Sequence, residues 1–184
     1  MAMFSSPVSP GDLRRFAIFG DGLETAQSDL YRRAARALKA AEIDPVVMSV
    51  QGLGGPLLDA LVAEDFRAIT LVTTREGEVA PGVEVVRAGD RAQARAEAIG
   101  RADALLGLPS TLGPVSELYL CWVDARAAGR AMPVGLLNQK KAFEVVRGFI
   151  GDVASVGLER TDRMIQFSDS IEDLIARLRT MSAP

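Results

Sequence analysis

The chain has 184 residues, 48% of them apolar and 24% charged, which suits one globular domain of the usual roughly 100–200 residues. A formal charge of −3 and a pI near 5.1, with no long Lys/Arg run, argue against a nucleic-acid partner. There is no histidine and a single cysteine, Cys121, which excludes a zinc site of the usual His/Cys kind, Ser-His and Cys-His nucleophile pairs, and an intrachain disulfide.

No stretch reaches the ~18 apolar residues of a membrane span. The opening Met1–Pro7 lacks the basic and apolar regions of a signal peptide. A cytoplasmic protein with no membrane partner is expected. Residues 1–13, rich in Ser, Pro and Gly, read as a flexible leader, and 14–184 as one domain. The apolar run Phe16–Phe19 is a buried strand that stops at Gly20-Asp21-Gly22. Apolar residues at three- and four-residue steps make 28–41 a helix. A strand over 45–50 follows, then the turn Gly52-Leu53-Gly54-Gly55 and a short helix over 57–63, with Pro56 suited to its first position. Strands over 68–72 and 83–86 flank a polar loop. The Ala-rich segment 90–101 is helical, 103–108 a strand, 114–128 a helix and 133–137 a strand. The chain closes with a helix over 143–156, a strand over 164–167, and a helix over 170–179 that Ser170 caps.

Apolar strands alternating with helices predict an α/β fold: a Rossmann-like, doubly wound, mainly parallel sheet with helices on both faces. Ligands of such sheets bind beyond the carboxyl ends of the strands, near a topological switch point. Three loops lie there: Gly20-Asp21-Gly22, Gly52–Gly55, and Pro109-Ser110-Thr111-Leu112-Gly113-Pro114. Each leads to a helix N-terminus, whose N–H groups and dipole favour an anion such as phosphate. None carries a dinucleotide or P-loop fingerprint, and no cofactor or metal is expected.

The stretch 102–118, with Pro109, Gly113 and Glu117, resembles the segment around the PGGxGTxxE signature of the LOG ("lonely guy") family. The following Pro133-Val134-Gly135-Leu136-Leu137-Asn138 and the upstream 19–22 and 31–35 extend the resemblance over roughly residues 15–180. It implies a homodimeric Rossmann-like protein that cleaves the N-glycosidic bond of a nucleoside 5′-monophosphate, giving free base and ribose 5-phosphate. It also implies that Glu117 acts at the sugar and that the loop with Gly113 holds phosphate. Beside it, the Ser110 and Thr111 hydroxyls are able to bind phosphate or another polar group, and Asp21, in the turn with Gly22 after the first strand, is placed to hydrogen-bond a ribose hydroxyl. Ser110 and Thr111 stand in place of the two signature glycines and Pro114 in place of the threonine. Without gaps the family's Arg-Lys pair falls on Ala94-Arg95, so its arginine is either missing or displaced by one position onto Arg95, the candidate arginine.

Each candidate has a plainer reading. Glu117, in the first turn of a helix starting at Pro114, also balances the helix dipole. Arg95 also fits the solvent face of its helix, and Asp21 is a common turn residue. Cys121 and Trp122 read as core or dimer contact, and Arg32-Arg33 as a solvated helix edge. Three functions stay open: a nucleotide N-ribosidase, a catalytically silent binder of a nucleotide or other phosphorylated small molecule, and an interaction subunit. The apolar helix around Leu118, Tyr119 and Trp122 predicts a homodimer.

Overall fold

The computed structural model describes residues 13–20, 28–49, 52–155 and 164–181. Seven strands form one sheet: β1 (Arg15–Phe19), β2 (Asp44–Ser49), β3 (Ile69–Thr73), β4 (Val83–Arg87), β5 (Ala104–Gly107), β6 (Val134–Leu137) and β7 (Ile165–Ser168). Their spatial order is β4-β3-β2-β1-β5-β6-β7, and every pairing is parallel. This is the doubly wound arrangement expected from the alternation of apolar strands and helices. β4, at one edge, is half-exposed, whereas β1, β5 and β6 are buried almost throughout.

The helices are α1 (Ser28–Ala40), α2 (Pro56–Ala63), α3 (Arg91–Arg101), α4 (Leu112–Ala127), α5 (Glu144–Ser155) and α6 (Ile171–Met181). Successive strand residues point to opposite sides, and each side meets its own set of helices. Phe16 and Ile18 face Tyr31, Leu38, Leu61 and Leu178 of α1, α2 and α6. Ala17 and Phe19 face Ala94, Ala98, Leu118 and Cys121 of α3 and α4, with Ile150 of α5 on the same side. Burying one Leu or Phe side chain contributes about 1.5–3 kcal/mol, so the two layers together dominate the stabilisation. Leu13 is buried with the first layer, so packing begins ahead of β1.

Two strand glycines set helix height. A Cβ on Gly107 would lie 2.7 Å from Leu136 Cδ2 and 2.8 Å from Leu118 Cδ1, beneath α4. One on Gly135 would lie 2.9 Å from Leu178 Cδ1 and 3.0 Å from Leu174 Cγ, beneath α6. Side chains finish the element ends. Asp90 caps α3 by accepting the Gln93 N–H at 2.8 Å, and Ser170 caps α6 by accepting the Asp173 N–H at 3.3 Å. Asp103 Oδ2 accepts the N–H groups of both Arg14 and Arg15 at 2.9 Å, anchoring the start of β1.

Two helix starts differ from expectation. α4 begins at Leu112 rather than Pro114, because a proline is tolerated anywhere in the first turn, where N–H groups lack intrahelical partners. α5 is preceded by a short 3₁₀ turn, Gln139–Lys141, in which Lys140 and Lys141 have φ of 53° and 61°. No helix among the described residues is long and apolar enough to cross a membrane.

Candidate functional site

β1 is the switch point: the chain leaves it toward β2 on one side and returns to its other side as β5. The carboxyl ends of β1 and β5 lie side by side, with Phe19 opposite Gly107 and the Leu108 N–H donating to the Phe19 carbonyl at 2.9 Å. A Cβ on Gly20 would meet Leu108 Cβ at 3.0 Å and Tyr31 Cε1 at 3.4 Å, so glycine lets the two loop starts close together. Tyr31, fully buried, donates its hydroxyl to the Pro109 carbonyl at 3.0 Å and holds the second loop from α1. Asp21 and Gly22 lie outside the described residues.

From Pro109 the chain turns through Ser110 and Thr111 into α4. Thr111 takes the N-cap position with extended backbone but makes no side-chain cap. The Ser110 hydroxyl donates to the Thr111 carbonyl at 3.3 Å. Leu112, Gly113 and Pro114 form the first turn, so the amides of Leu112 and Gly113 remain as N-terminal donors while Pro114 contributes none. This supplies a helix N-terminus and two hydroxyl side chains at the switch point, a combination able to bind an oxyanion.

Glu117 is in the second turn of α4, not the first, because the helix starts earlier than expected. Its role there is not dipole balancing, which fades beyond the first turn. The residue is only 6% exposed, and both carboxylate oxygens meet guanidinium groups. Arg95 Nη1 donates to Oε2 at 3.4 Å, and Arg91 Nη1 stands 3.7 Å from Oε1. Arg95 also donates from Nε to Asp124 Oδ2 at 2.7 Å. The Asp124 hydrogen bond is the largest of the causes that raise the Arg95 pKa; Glu117 adds to it, while burial opposes. Arg95 is therefore not on the solvent face: its side chain is 15% exposed and bridges α3 to α4. Ala94, its neighbour, is fully buried in the core.

Cys121 lies one turn beyond Glu117, fully buried, and burial pushes its thiol up to about 12. It is core, as the plainer reading holds. Arg32 pairs with Asp29 at the exposed edge of α1. Arg91, Asp124 and Tyr31 were not singled out by the sequence. The signal for the first two was present: Arg91 and Arg95 are four apart on one helix, and Glu117 and Asp124 are seven apart on the next, so each pair shares a face. Asn138, at the end of β6, is another buried polar residue. Its Oδ1 accepts the Phe143 N–H at 2.8 Å and its amide donates to Glu144 at 2.5 Å, which fixes the turn before α5.

No protein-family model matches the chain, and no curated protein does. Solved structures do. The molybdenum cofactor carrier protein of Chlamydomonas reinhardtii superposes with a TM-score of 0.62 at 13% identity, over 92% of this chain and 98% of that one. The molybdenum cofactor binding protein of the phototrophic bacterium Rippkaea orientalis gives 0.65 at 12% identity, over 92% and 97%. A structural-genomics target, TM1055, gives 0.60 at 15% identity, over 89% and 97%. At such identities the likeness is one of fold, and it covers essentially whole chains.

Proposed function

We propose that this chain is a LOG-like binding protein for a phosphorylated small molecule, with a nucleoside 5′-monophosphate as the first candidate, seated across the carboxyl ends of β1 and β5. The carrying observation is the juxtaposition of the 109–113 loop, entering the α4 N-terminus, with the ion-paired Glu117 and Arg95 on α4 and α3. The loop suits the phosphate, and the carboxylate suits a sugar hydroxyl or a developing positive charge. Side chains at the two signature glycine positions and Pro114 at the threonine position depart from the hydrolase signature, so turnover does not follow from the motif; the Ser110 and Thr111 hydroxyls take the place of the backbone approach and the donor thereby lost. The structural neighbours named for the molybdenum cofactor are themselves a carrier and a binding protein, which makes that cofactor the second ligand to try.

Hydrolysis of the N-glycosidic bond is the second reading, and one observation favours it. Arg95 reaches Glu117, so the family's carboxylate and arginine are paired despite the one-position offset in sequence. The deciding experiment is calorimetric titration with a panel of nucleoside monophosphates, with chromatography of each mixture for free base. Saturable binding without base supports the carrier reading. Base release that Glu117→Gln abolishes supports the hydrolase. Failure of every monophosphate and of the molybdenum cofactor to bind overturns both.

A further inference from the structure

The Glu117 carboxylate is covered by two guanidinium groups that are held very differently. Arg95 is fixed: its Nε donates to Asp124 Oδ2 at 2.7 Å, its Nη1 to Glu117 Oε2 at 3.4 Å, and its side chain is 15% exposed. Arg91 is not. Its side chain is 64% exposed, and its contact with Glu117 Oε1, at 3.7 Å, is too long for a hydrogen bond. No other polar group among the described residues holds it.

The fold does not call for a cation here. Arg91 opens α3, where the positive end of the helix dipole disfavours a guanidinium, and no acidic side chain shares that first turn. The cap is complete without it: Asp90 accepts the Gln93 N–H at 2.8 Å, and Gln93 Oε1 accepts the Gly89 N–H at 2.8 Å. A long ion pair whose arginine stands mostly in water adds little stability, so the Glu117 contact does not account for the residue either.

Its position does. α3 and α4 run side by side in one direction, because their contacts climb together: Arg91 meets Glu117, and Arg95 meets Glu117 and then Asp124. Arg91 is one helical turn ahead of Arg95, as Gly113 is ahead of Glu117. The Arg91 guanidinium therefore stands within about one turn, about 5.4 Å along the axis, of the level where the 109–113 loop enters α4. With Arg95 fixed over Oε2, a ligand reaching the carboxylate has to displace Arg91 from Oε1.

On the reading that a phosphorylated small molecule seats across β1 and β5, we infer that Arg91 is the residue that selects for its phosphate. In the free chain Arg91 rests on Glu117. A phosphate at the α4 N-terminus takes the guanidinium over, since guanidinium pairs with such oxyanions through two parallel N–H donors. The exchange uncovers Oε1 for a sugar hydroxyl while Arg95 keeps the carboxylate in place. The sugar contact thus depends on the phosphate, and a nucleoside without one meets a covered carboxylate.

The test is calorimetric titration of the intact chain with adenosine, guanosine, cytidine and uridine 5′-monophosphates and with the four matching nucleosides. It compares wild type, Arg91→Ala, Arg91→Lys and Arg101→Ala, the last removing an equal charge from the far end of α3. Wild type should prefer a monophosphate to its nucleoside, and Arg91→Ala should reduce that preference about tenfold by weakening the monophosphate alone. Arg91→Lys should keep part of the preference, and Arg101→Ala all of it. Where a nucleoside binds too weakly to titrate, the comparison is monophosphate affinity in Arg91→Ala against Arg101→Ala. An unchanged preference in Arg91→Ala, equal weakening of monophosphate and nucleoside, or an equal loss in Arg101→Ala would each overturn the inference and leave the binding reading standing. Failure of wild type to bind any of these compounds overturns it together with the nucleotide reading.

Discussion

Tyr31 and Pro109 are joined by one buried hydrogen bond, 3.0 Å from phenol to carbonyl, and through it α1 holds the loop that enters α4. The bond links segments 78 residues apart and ends on the loop that carries Ser110 and Thr111. Tyr31→Phe fills the same space but leaves the Pro109 carbonyl without this donor. It should cost about 1–3 kcal/mol in chemical denaturation, the scale of an unsatisfied buried acceptor. It should also weaken ligand binding at the loop while the far-ultraviolet spectrum is unchanged. Unaltered stability would show that the loop is held by other contacts.

Glu117→Gln separates structure from chemistry. The amide keeps the shape and removes the charge facing Arg95 and Arg91, while Arg95 retains Asp124. A loss of about 1–3 kcal/mol in stability is expected, larger than a helix-dipole role alone would give. If the chain turns over a nucleotide, turnover should fall by at least ~10²-fold with affinity nearly unchanged.

Arg95 and Glu117 should couple energetically. A double-mutant cycle with Arg95→Met and Glu117→Gln should return an interaction of about 0.5–3 kcal/mol, because neither group is exposed enough for water to replace its partner. Arg95→Met alone should be the most destabilising of the three proteins, since it leaves buried Glu117 with only the longer Arg91 contact and takes the Nε donor from Asp124. Strict additivity of the two single changes would show the 3.4 Å contact to be energetically empty.

Cys121 gives a pH dependence with a definite sign. Its thiol ordinarily titrates near 9 and is pushed up to about 12 when folded, chiefly by burial. The folded chain therefore holds this proton more tightly than the unfolded chain. The stability it contributes is complete below about pH 9 and is lost as pH rises from 9 toward 12. Cys121→Ala should flatten the alkaline limb of a stability–pH curve, and the native thiol should resist alkylation at pH 8 until denaturant is added. Rapid native labelling would contradict the burial.

The outer surfaces of α4 and α5, which cover the same sheet face, carry exposed large apolar side chains. Tyr119, Leu120 and Val123 are exposed on α4, and Val145 and Phe149 on α5, with Val145 at 87%. A homodimer through this face is expected, and sedimentation should show it at micromolar concentration. Leu120→Glu combined with Val123→Glu should give a folded monomer. A monomeric wild type would dismiss the interface.

The layered sheet was legible because its evidence is local: runs such as Phe16–Phe19 and Ala104–Gly107 are apolar end to end and bounded by turns. Ser170 announces its helix start for the same reason. The site was legible only in part. Glu117 could be named from its motif, but its turn of the helix depended on whether Pro114 opened α4 or sat inside its first turn. Arg95 is nameable as the candidate arginine, but the sequence leaves the solvent face equally open to it, because its environment is made by another helix: Asp124 and Glu117 approach it only when α3 and α4 pack. Tyr31 looked like one more amphipathic-helix residue, since nothing near it in sequence identifies Pro109 as its acceptor.

The central strand pairs Phe16 with Pro45 on one side and with Ala104 on the other. During synthesis its first edge can close after 29 more residues, but its second must wait for 88. At ribosomal speeds of about 5–20 residues per second, this central strand spends roughly 4–18 s with a bare row of backbone donors and acceptors along its second edge. A nascent chain halted just before Ala104 should therefore be a strong client for holdase chaperones, and one halted beyond Ala127, after α4 has covered β5, a much weaker one.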